Sequence, residues 1–414
     1  MKFNNHFRLI GLGAWALLAA GCMTTELAYL AEGERRAKGG AAAIPVTAAA
    51  AKATTLRQAA EARGFKIGST GTTISCYWDG PVCNPMLDPQ YTATLAREFN
   101  LIIPEGEQMW EHSHPQKDRF DFTKSDFIVD FAVKNGIEVH GHALVAHNQQ
   151  PPWLKGKKFS KEEMSAIVKN HIFTVARHFR GRVQAWNVTN EALVCNTDIR
   201  PEVVEPPCRP GSGVVPRVWA VSQAMGPGYI EQAFRWARQA DPDALLFYND
   251  YNIEGFAASN WSKEKEDGTY RFIKRMVERK VPIDGVGFQL HLNIDGRWSK
   301  FEPTPQDFAA NVRRYNKLGL QVRITEMDIG VKRPVSEERL KRQAAKFRKF
   351  LNVCLRAENC TAFATWGYTD KHSWINDVGR PDNVGSALLI DENYVKKHAY
   401  KEVLHALKYT PREP

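Results

Sequence analysis

From Gly64 onward, short apolar runs alternate with longer amphipathic stretches. The runs Phe65–Ser69, Leu101–Pro104, Glu138–Leu144, Val183–Val188, Leu245–Tyr248, Gly285–Leu290, Gln321–Thr325 and Ala362–Trp366 read as strands. They are short, rich in branched and aromatic residues, and bounded by polar or glycine positions. Between them the helical period appears over Asp126–Asn135, which stops before Gly136, and over Ser160–Phe179, which opens with Ser160 and Glu163 in a capping-box pattern. It returns over Gly228–Gln239, Tyr270–Arg279, Pro305–Leu318 and Ser336–Arg356. Apolar strands alternating with helices imply βαβ units and a parallel sheet. Eight such strands in about 350 residues fit a single α/β domain, a (β/α)8 TIM barrel with enlarged loops. A doubly wound open sheet is the competing architecture. It carries a Gly-rich phosphate loop after its first strand, and Gly68-Ser-Thr-Gly71 has too few glycines for one.

The first 55 residues do not share this pattern. Lys2 and Arg8 precede the short apolar run Leu9–Ala20, which ends in Leu18-Ala19-Ala20-Gly21-Cys22. Small residues before a cysteine, directly after such a run, resemble a bacterial lipoprotein signal. The resemblance implies residues 1–21 as signal peptide, lipidation of Cys22, and a membrane anchor. Met23 after the cysteine points to the outer membrane, facing either the periplasm or the cell surface. A plain secretory signal is the other reading. Residues 22–55 read as a tether: Gly39–Thr55 holds eight alanines and little else. The catalytic domain is then expected over 56–414.

Setting Cys22 aside, six of the seven cysteines remain, in three sequence-local pairs. An exported protein can oxidise them, so the expectation is Cys76–Cys83, Cys195–Cys208 and Cys354–Cys360. Six cysteines allow 15 pairings, and spacing alone does not choose. None shows a zinc-finger spacing. The chain is 43% hydrophobic and 25% charged, which excludes collagen, coiled coil and general disorder. Its net charge of +10 is scattered rather than blocked, a solvated surface rather than a nucleic-acid face.

A (β/α)8 barrel places its chemistry at the C-terminal ends of its strands. The third predicted strand offers His140, His142 and His147 there, the fourth Asn190 and Glu191, and the fifth Asn249, Asp250 and Tyr251. The sixth offers Gln289 and His291, the seventh Glu326 and Asp328, and the eighth Trp366 with Trp374 beyond it. Polar groups at apolar strand ends are costly to bury unless paired, and packing does not explain five such ends together. Glu191 and Glu326 are 135 positions apart, about three βα units, so they face each other across the mouth. Two opposed carboxyls, one a protonated acid and one an ionised nucleophile, are what glycoside hydrolysis requires.

The segments around them resemble glycoside hydrolase family 10, the retaining endo-β-1,4-xylanases. Trp186-Asn-Val-Thr-Asn190-Glu191-Ala192 is similar to the family's acid/base segment, and Ile324-Thr-Glu326-Met-Asp328-Ile329 to its nucleophile segment. Gly141-His-Ala-Leu-Val-Ala-His147-Asn-Gln149, Tyr248-Asn-Asp-Tyr-Asn252, Asp284-Gly-Val-Gly-Phe-Gln289-Leu-His291 and Trp366-Gly-Tyr-Thr-Asp370-Lys-His-Ser-Trp374 follow the family order. The resemblance covers residues 60–408 and implies hydrolysis of xylan by double displacement, with no cofactor. It implies Glu191 as acid/base and Glu326 as nucleophile, with His291 and Asp328 orienting Glu326. Asn190 would hold the sugar 2-hydroxyl, and Glu105, His147, Gln289, Trp366 and Trp374 the substrate. Burial near Trp186 is expected to raise the pKa of Glu191. Trp153 and Trp298 are either sugar platforms or packing.

Three positions depart from the family: Gly106 stands for an asparagine, Met109 for a lysine and Ala146 for a tryptophan. They line the glycone-side subsites by the resemblance, so altered specificity is implied. Competing functions are another or a decorated β-glycan as substrate, a glycan-binding barrel that no longer cuts, and a metal-dependent hydrolase built on the His140-Gly-His142 pair. The second needs no carboxyl pair, and the third needs more imidazoles than the other strand ends supply.

Overall fold

A computed structural model of the protein describes residues 47–74, 84–196, 208, 211–256, 262–296, 299, 302–376 and 383–412. In chain order the strands are β1 Lys66–Gly71, β2 Leu101–Pro104, β3 Glu138–Ala146, β4 Ala185–Asn190, β5 Leu193–Cys195, β6 Val214–Pro216, β7 Leu245–Asp250, β8 Gly285–Phe288, β9 His291–Ile294, β10 Gln321–Lys332, β11 Cys360–Thr365 and β12 Val384–Gly385. Eight of these close into a barrel in the order β11-β1-β2-β3-β4-β7-β8-β10, and β10 pairs back onto β11. Every one of those pairings is parallel. All eight expected strands are present. They are legible because a parallel strand is buried on both faces and reads as a continuous apolar run; all four residues of β2 are buried.

Close packing between strand and helix layers sets one glycine. A Cβ on Gly141 in β3 would lie 2.3 Å from the Trp186 indole of β4, so only glycine leaves room for that ring. The helix Lys161–Phe179 opens with the expected capping box: Ser160 Oγ accepts from the Glu163 amide at 3.1 Å, and Glu163 Oε2 accepts from the Ser160 amide at 2.8 Å. Among the helices the sequence pattern does not mark are Pro89–Glu98 and His398–Tyr409. The first is short, and Asp88 caps it by accepting from the Gln90 amide at 2.8 Å.

The domain begins earlier than composition suggested. Residues 47–55, expected in the tether, carry the helix Ala48–Lys52, with Ala50 fully buried. Lys408 donates to the Ala53 carbonyl at 3.1 Å, tying this segment to the last helix. Alanine-rich stretches read as linker, yet alanine is also the best helix former and packs closely. The signal, Cys22, most of the tether, the Cys76–Cys83 pair and Trp298 lie outside the described residues. The disulfides Cys195–Cys208 and Cys354–Cys360 are present, with Cα atoms 5.3 and 5.1 Å apart. The first closes the loop between β5 and β6, an antiparallel hairpin that follows Glu191.

Candidate active site

Glu191 is the residue after β4, and its φ of 52° puts it in the left-handed region. Non-glycine residues hold that conformation only when their surroundings over-determine it. Here the Glu191 amide donates to the Asn249 carbonyl at 2.9 Å, and Arg217 Nε donates to the Glu191 carbonyl at 3.1 Å. The side chain then turns into the mouth, where Gln289 Nε2 donates to its Oε1 at 3.0 Å. Asn190 Nδ2 is 3.4 Å from the same oxygen, and His147 Nε2 is 4.0 Å from Oε2. Burial pushes the Glu191 carboxyl up from its ordinary value. The Gln289 bond and the Arg217 charge oppose this, while the charges of Asp250 and Glu326 add to it. The surroundings therefore favour the protonated acid. Trp186 is not the source of that burial: its ring faces the helix layer, 6.1 Å from Phe179.

Glu326, on β10, is 4% exposed and accepts from two donors. Asn249 Nδ2 donates to its Oε1 at 2.7 Å, and His291 Nε2 donates to its Oε2 at 3.3 Å. Charge-assisted donors of this kind stabilise the anion. His291 in turn sets Nδ1 3.0 Å from Asp328 Oδ1, and Trp374 Nε1 donates to Asp328 Oδ2 at 2.8 Å. Burial alone would lower the His291 pKa, but Asp328 and Glu326 outweigh it and hold it well above the ordinary value. The imidazole therefore serves as a cationic donor to Glu326. The register His291↔Asp328 between β9 and β10 builds this arrangement directly into the sheet.

Amides connect the two carboxyls. Asn249 Nδ2 lies 2.8 Å from Asn190 Oδ1 as well as 2.7 Å from Glu326, and Gln289 Nε2 lies 3.3 Å from that same Asn190 oxygen. Thr325 Oγ1 donates to Asn249 Oδ1 at 2.7 Å. A Cβ on Gly287 would sit 2.1 Å from Asn249 Oδ1, so β8 carries glycine where the amide crosses. Glu191, Asn190, Gln289, Glu326, His291, Asp328 and Trp374 thus form one connected group, with His147 beside it.

Glu105 and Trp366 sit apart from that chain of bonds. Thr70 Oγ1 donates to Glu105 Oε2 at 3.3 Å, and the Trp366 ring meets His142 edge-on at 5.3 Å. His140 is not at the mouth. Its Nε2 pairs with Asn187 Oδ1 at 2.9 Å, and its Nδ1 is 3.3 Å from Arg323 Nη1, among the inward side chains of the barrel. Asn187 Nδ2 faces His142 Nδ1 at 2.9 Å. A guanidinium against one imidazole and an amide against both is a packed polar layer, not a cation cradle. Trp153 packs on Trp110 and His114 and donates to the His114 carbonyl at 2.9 Å, so its role is packing. Met109 is buried with Ala143 and Ala146 in one apolar cluster. Sequence reasoning misses Arg217, Glu254 and Lys265, whose ammonium pairs at 3.0 Å with Asp250, a residue the strand-end pattern does mark. Asn249 was placed at the mouth, but not as the bridge between the carboxyls.

Such a barrel, with two carboxyls joined by amides at one mouth and one of them raised by burial, defines a glycoside hydrolase. Residues 55–406 match the model of glycosyl hydrolase family 10. The chain is 41% identical over 314 residues to endo-1,4-beta-xylanase B of Thermotoga neapolitana, covering 75% of this chain and 81% of that one. It is 33% identical over 356 residues to a beta-1,4-xylanase of Dictyoglomus thermophilum, covering 83% and 92%. The crystal structure of xylanase 10B from Thermotoga petrophila RKU-1 in complex with xylobiose superposes with a TM-score of 0.73 at 37% identity, covering 86% of this chain and 98% of that one. The protein belongs to glycosyl hydrolase family 10 and is a retaining glycoside hydrolase.

Proposed function

We propose that the protein is an endo-1,4-β-xylanase that cuts xylan by double displacement, with Glu191 as acid/base and Glu326 as nucleophile. In the first step a Glu326 oxygen bonds to the anomeric carbon as the glycosidic C–O bond breaks, and the leaving oxygen takes the Glu191 proton. In the second, Glu191 takes a proton from water, the water oxygen bonds to the anomeric carbon, and the ester to Glu326 breaks. Loss of the Glu326 charge in the intermediate lowers the affinity of Glu191 for its proton, which suits its second role. The observation that carries the reading is that one mouth holds both carboxyls, linked through Asn190, Gln289 and Asn249, with burial raising Glu191 and a cationic His291 donating to Glu326. The glycone side is read as altered, since Met109 buried against Ala143 and Ala146 presents no charge or ring there. NMR of the first-formed anomer from xylan and from other β-glycans tests the reaction, with Glu326→Gln as control. A β-configured product from xylan is expected; an α-configured product, or full turnover by Glu326→Gln, overturns the assignment.

Residues 1–21 are proposed as an export signal and Cys22 as a lipid-bearing anchor to the outer membrane. The positive, apolar, small-residue and cysteine order supports this. Fatty-acid labelling that survives in Cys22→Ser would exclude it.

A further inference from the structure

The double displacement gives no task to Glu254, a buried carboxyl at the turn before His291. Glu254 lies on the loop after β7, is 3% exposed, and accepts the Leu290 amide at Oε1 over 3.1 Å. Leu290 has a φ of 58° and separates β8 from β9, so it sets the direction in which His291 leaves the barrel wall. A left-handed leucine is strained and needs a fixed partner. The Glu254 loop is itself anchored from two sides. Asn311 donates to the Ile253 carbonyl at 2.6 Å, and the Phe256 amide donates to Glu266 at 2.7 Å.

We propose that Glu254 is a positioning residue for the nucleophile: its carboxyl fixes the Leu290 turn and so holds His291 against Glu326. The proposal rests on Glu326 being the nucleophile. The largest charges felt at Glu254 are Lys265, from the helix Lys263–Glu278, and His291, from β9; both are cations, and Lys265 is itself paired with Asp250 at 3.0 Å. The groups facing His291 are Asp328 at 3.0 Å, Glu326 at 3.3 Å and the Trp374 ring at 5.3 Å. Burial pushes the Glu254 carboxyl up to about 7, against the Leu290 bond and those two cations. Glu254 therefore changes from a neutral hydrogen-bonding acid to an anion across neutral pH. When Glu326 becomes an ester, His291 loses one of its anions, and an ionised Glu254 keeps the imidazolium compensated.

Glu254→Gln keeps the shape and the oxygen facing Leu290 but cannot ionise, and Glu254→Leu removes both. The titration of the His291 ring is read by 15N NMR, assigned through His291→Asn. The values of kcat and KM are read from pH 5 to 9 on an aryl β-xylobioside. In Glu254→Gln the imidazolium is expected to titrate about one pH unit lower. Its kcat above pH 7 falls about tenfold while KM stays within twofold, whereas Glu254→Leu loses kcat at every pH. Superimposable His291 titrations and kcat profiles for wild type and Glu254→Gln overturn the proposal. So does a loss of kcat in both variants that simply follows their melting temperatures. The nucleophile reading is tested separately by azide rescue of Glu326→Ala. Failure of that rescue removes the nucleophile reading, and the His291 titration still decides whether Glu254 acts on His291.

Discussion

Asn249 is the side chain on which both carboxyls depend, and its replacement by leucine, close to it in shape, tests the arrangement. The amide is fully buried and makes three hydrogen bonds: to Glu326 at 2.7 Å, to Asn190 at 2.8 Å, and from Thr325 at 2.7 Å. Its orientation is set by its neighbours, because a carboxylate and a carbonyl oxygen both require the NH2 end. A hydrogen bond to a charged group contributes about 1.5–3 kcal/mol and a neutral one about 1. Asn249→Leu therefore costs Glu326 one of its two donors. Taken as about 2 kcal/mol of lost transition-state alignment, this is roughly a 30-fold fall in kcat/KM. Stability falls by a further 1–3 kcal/mol or so, because the Thr325 hydroxyl is left buried without its acceptor. Thr325→Val, which leaves the amide in place, is expected to lose only about 1 kcal/mol, near fivefold. The assay is initial rate on an aryl β-xylobioside across pH, with a denaturant midpoint for each variant. If kcat/KM of Asn249→Leu stays within threefold of wild type, the amide bridge does not orient Glu326.

Three further outcomes follow from the supporting residues. Arg217 holds the Glu191 carbonyl at 3.1 Å and the Tyr251 hydroxyl at 3.1 Å, and its charge opposes the raised pKa of Glu191. Arg217→Met should move the alkaline limb of kcat/KM upward and lower kcat about tenfold. Arg217→Lys should restore the limb but not kcat, since an ammonium cannot span both contacts; an unmoved limb in Arg217→Met refutes this. His114 and His171 meet through their Nδ1 atoms at 3.2 Å, and burial lowers the pKa of both below the unfolded value. The folded state thus binds fewer protons, so stability is complete above about pH 6.5 and is lost as pH falls below it, by up to about 1.4 kcal/mol per unit for each ring. Chemical denaturation at pH 8, 6 and 5 reads the slope. His171→Phe, which keeps a ring against Trp110, should flatten it. Lys265→Met strands Asp250, which is 0% exposed, and should cost about 3–5 kcal/mol by denaturant midpoint; adding Asp250→Asn should recover part of it, and no recovery refutes the pairing.

Much of this site was legible because the barrel ties function to one position on each strand. Glu191 and Gln289 directly follow β4 and β8, His291 opens β9, and Glu326 lies just past Ile324, where β10 stops pairing with β8; a polar group there needs a partner or a task. His140 was misplaced for a related reason. Its strand was read as ending at Leu144, whereas β3 runs to Ala146. At about 3.3 Å per residue, that extension drops His140 by roughly 7 Å, into the layer held by Asn187 and Arg323. Residues 47–52 were misread because an alanine run looks the same whether it spaces or packs.

Arg217 and Glu254 could not be found in this way, because neither stands at the end of a barrel strand: Arg217 follows β6 of the hairpin, and Glu254 lies on the loop after β7. Arg217 comes in on the stapled hairpin and grips a main-chain carbonyl; Glu254 grips the amide before His291. Both act on residues in the left-handed region, Glu191 at φ 52° and Leu290 at φ 58°. Strain of that kind is invisible in sequence when the residue is not glycine, and it persists only with a partner on the backbone. On the proposed assignment the two sides are built alike: a turn that aims a side chain of the site, Glu191 in one case and His291 in the other, and a charged residue from elsewhere that holds the turn. The charges differ in sign as the roles require. A cation near the acid limits how far its pKa rises, and a carboxyl beside the imidazole helps keep the donor to the nucleophile protonated. Exchanging those signs, as in Arg217→Glu with Glu254→Lys, would push Glu191 further up and His291 down together, and should cost more activity than the two losses of contact combined.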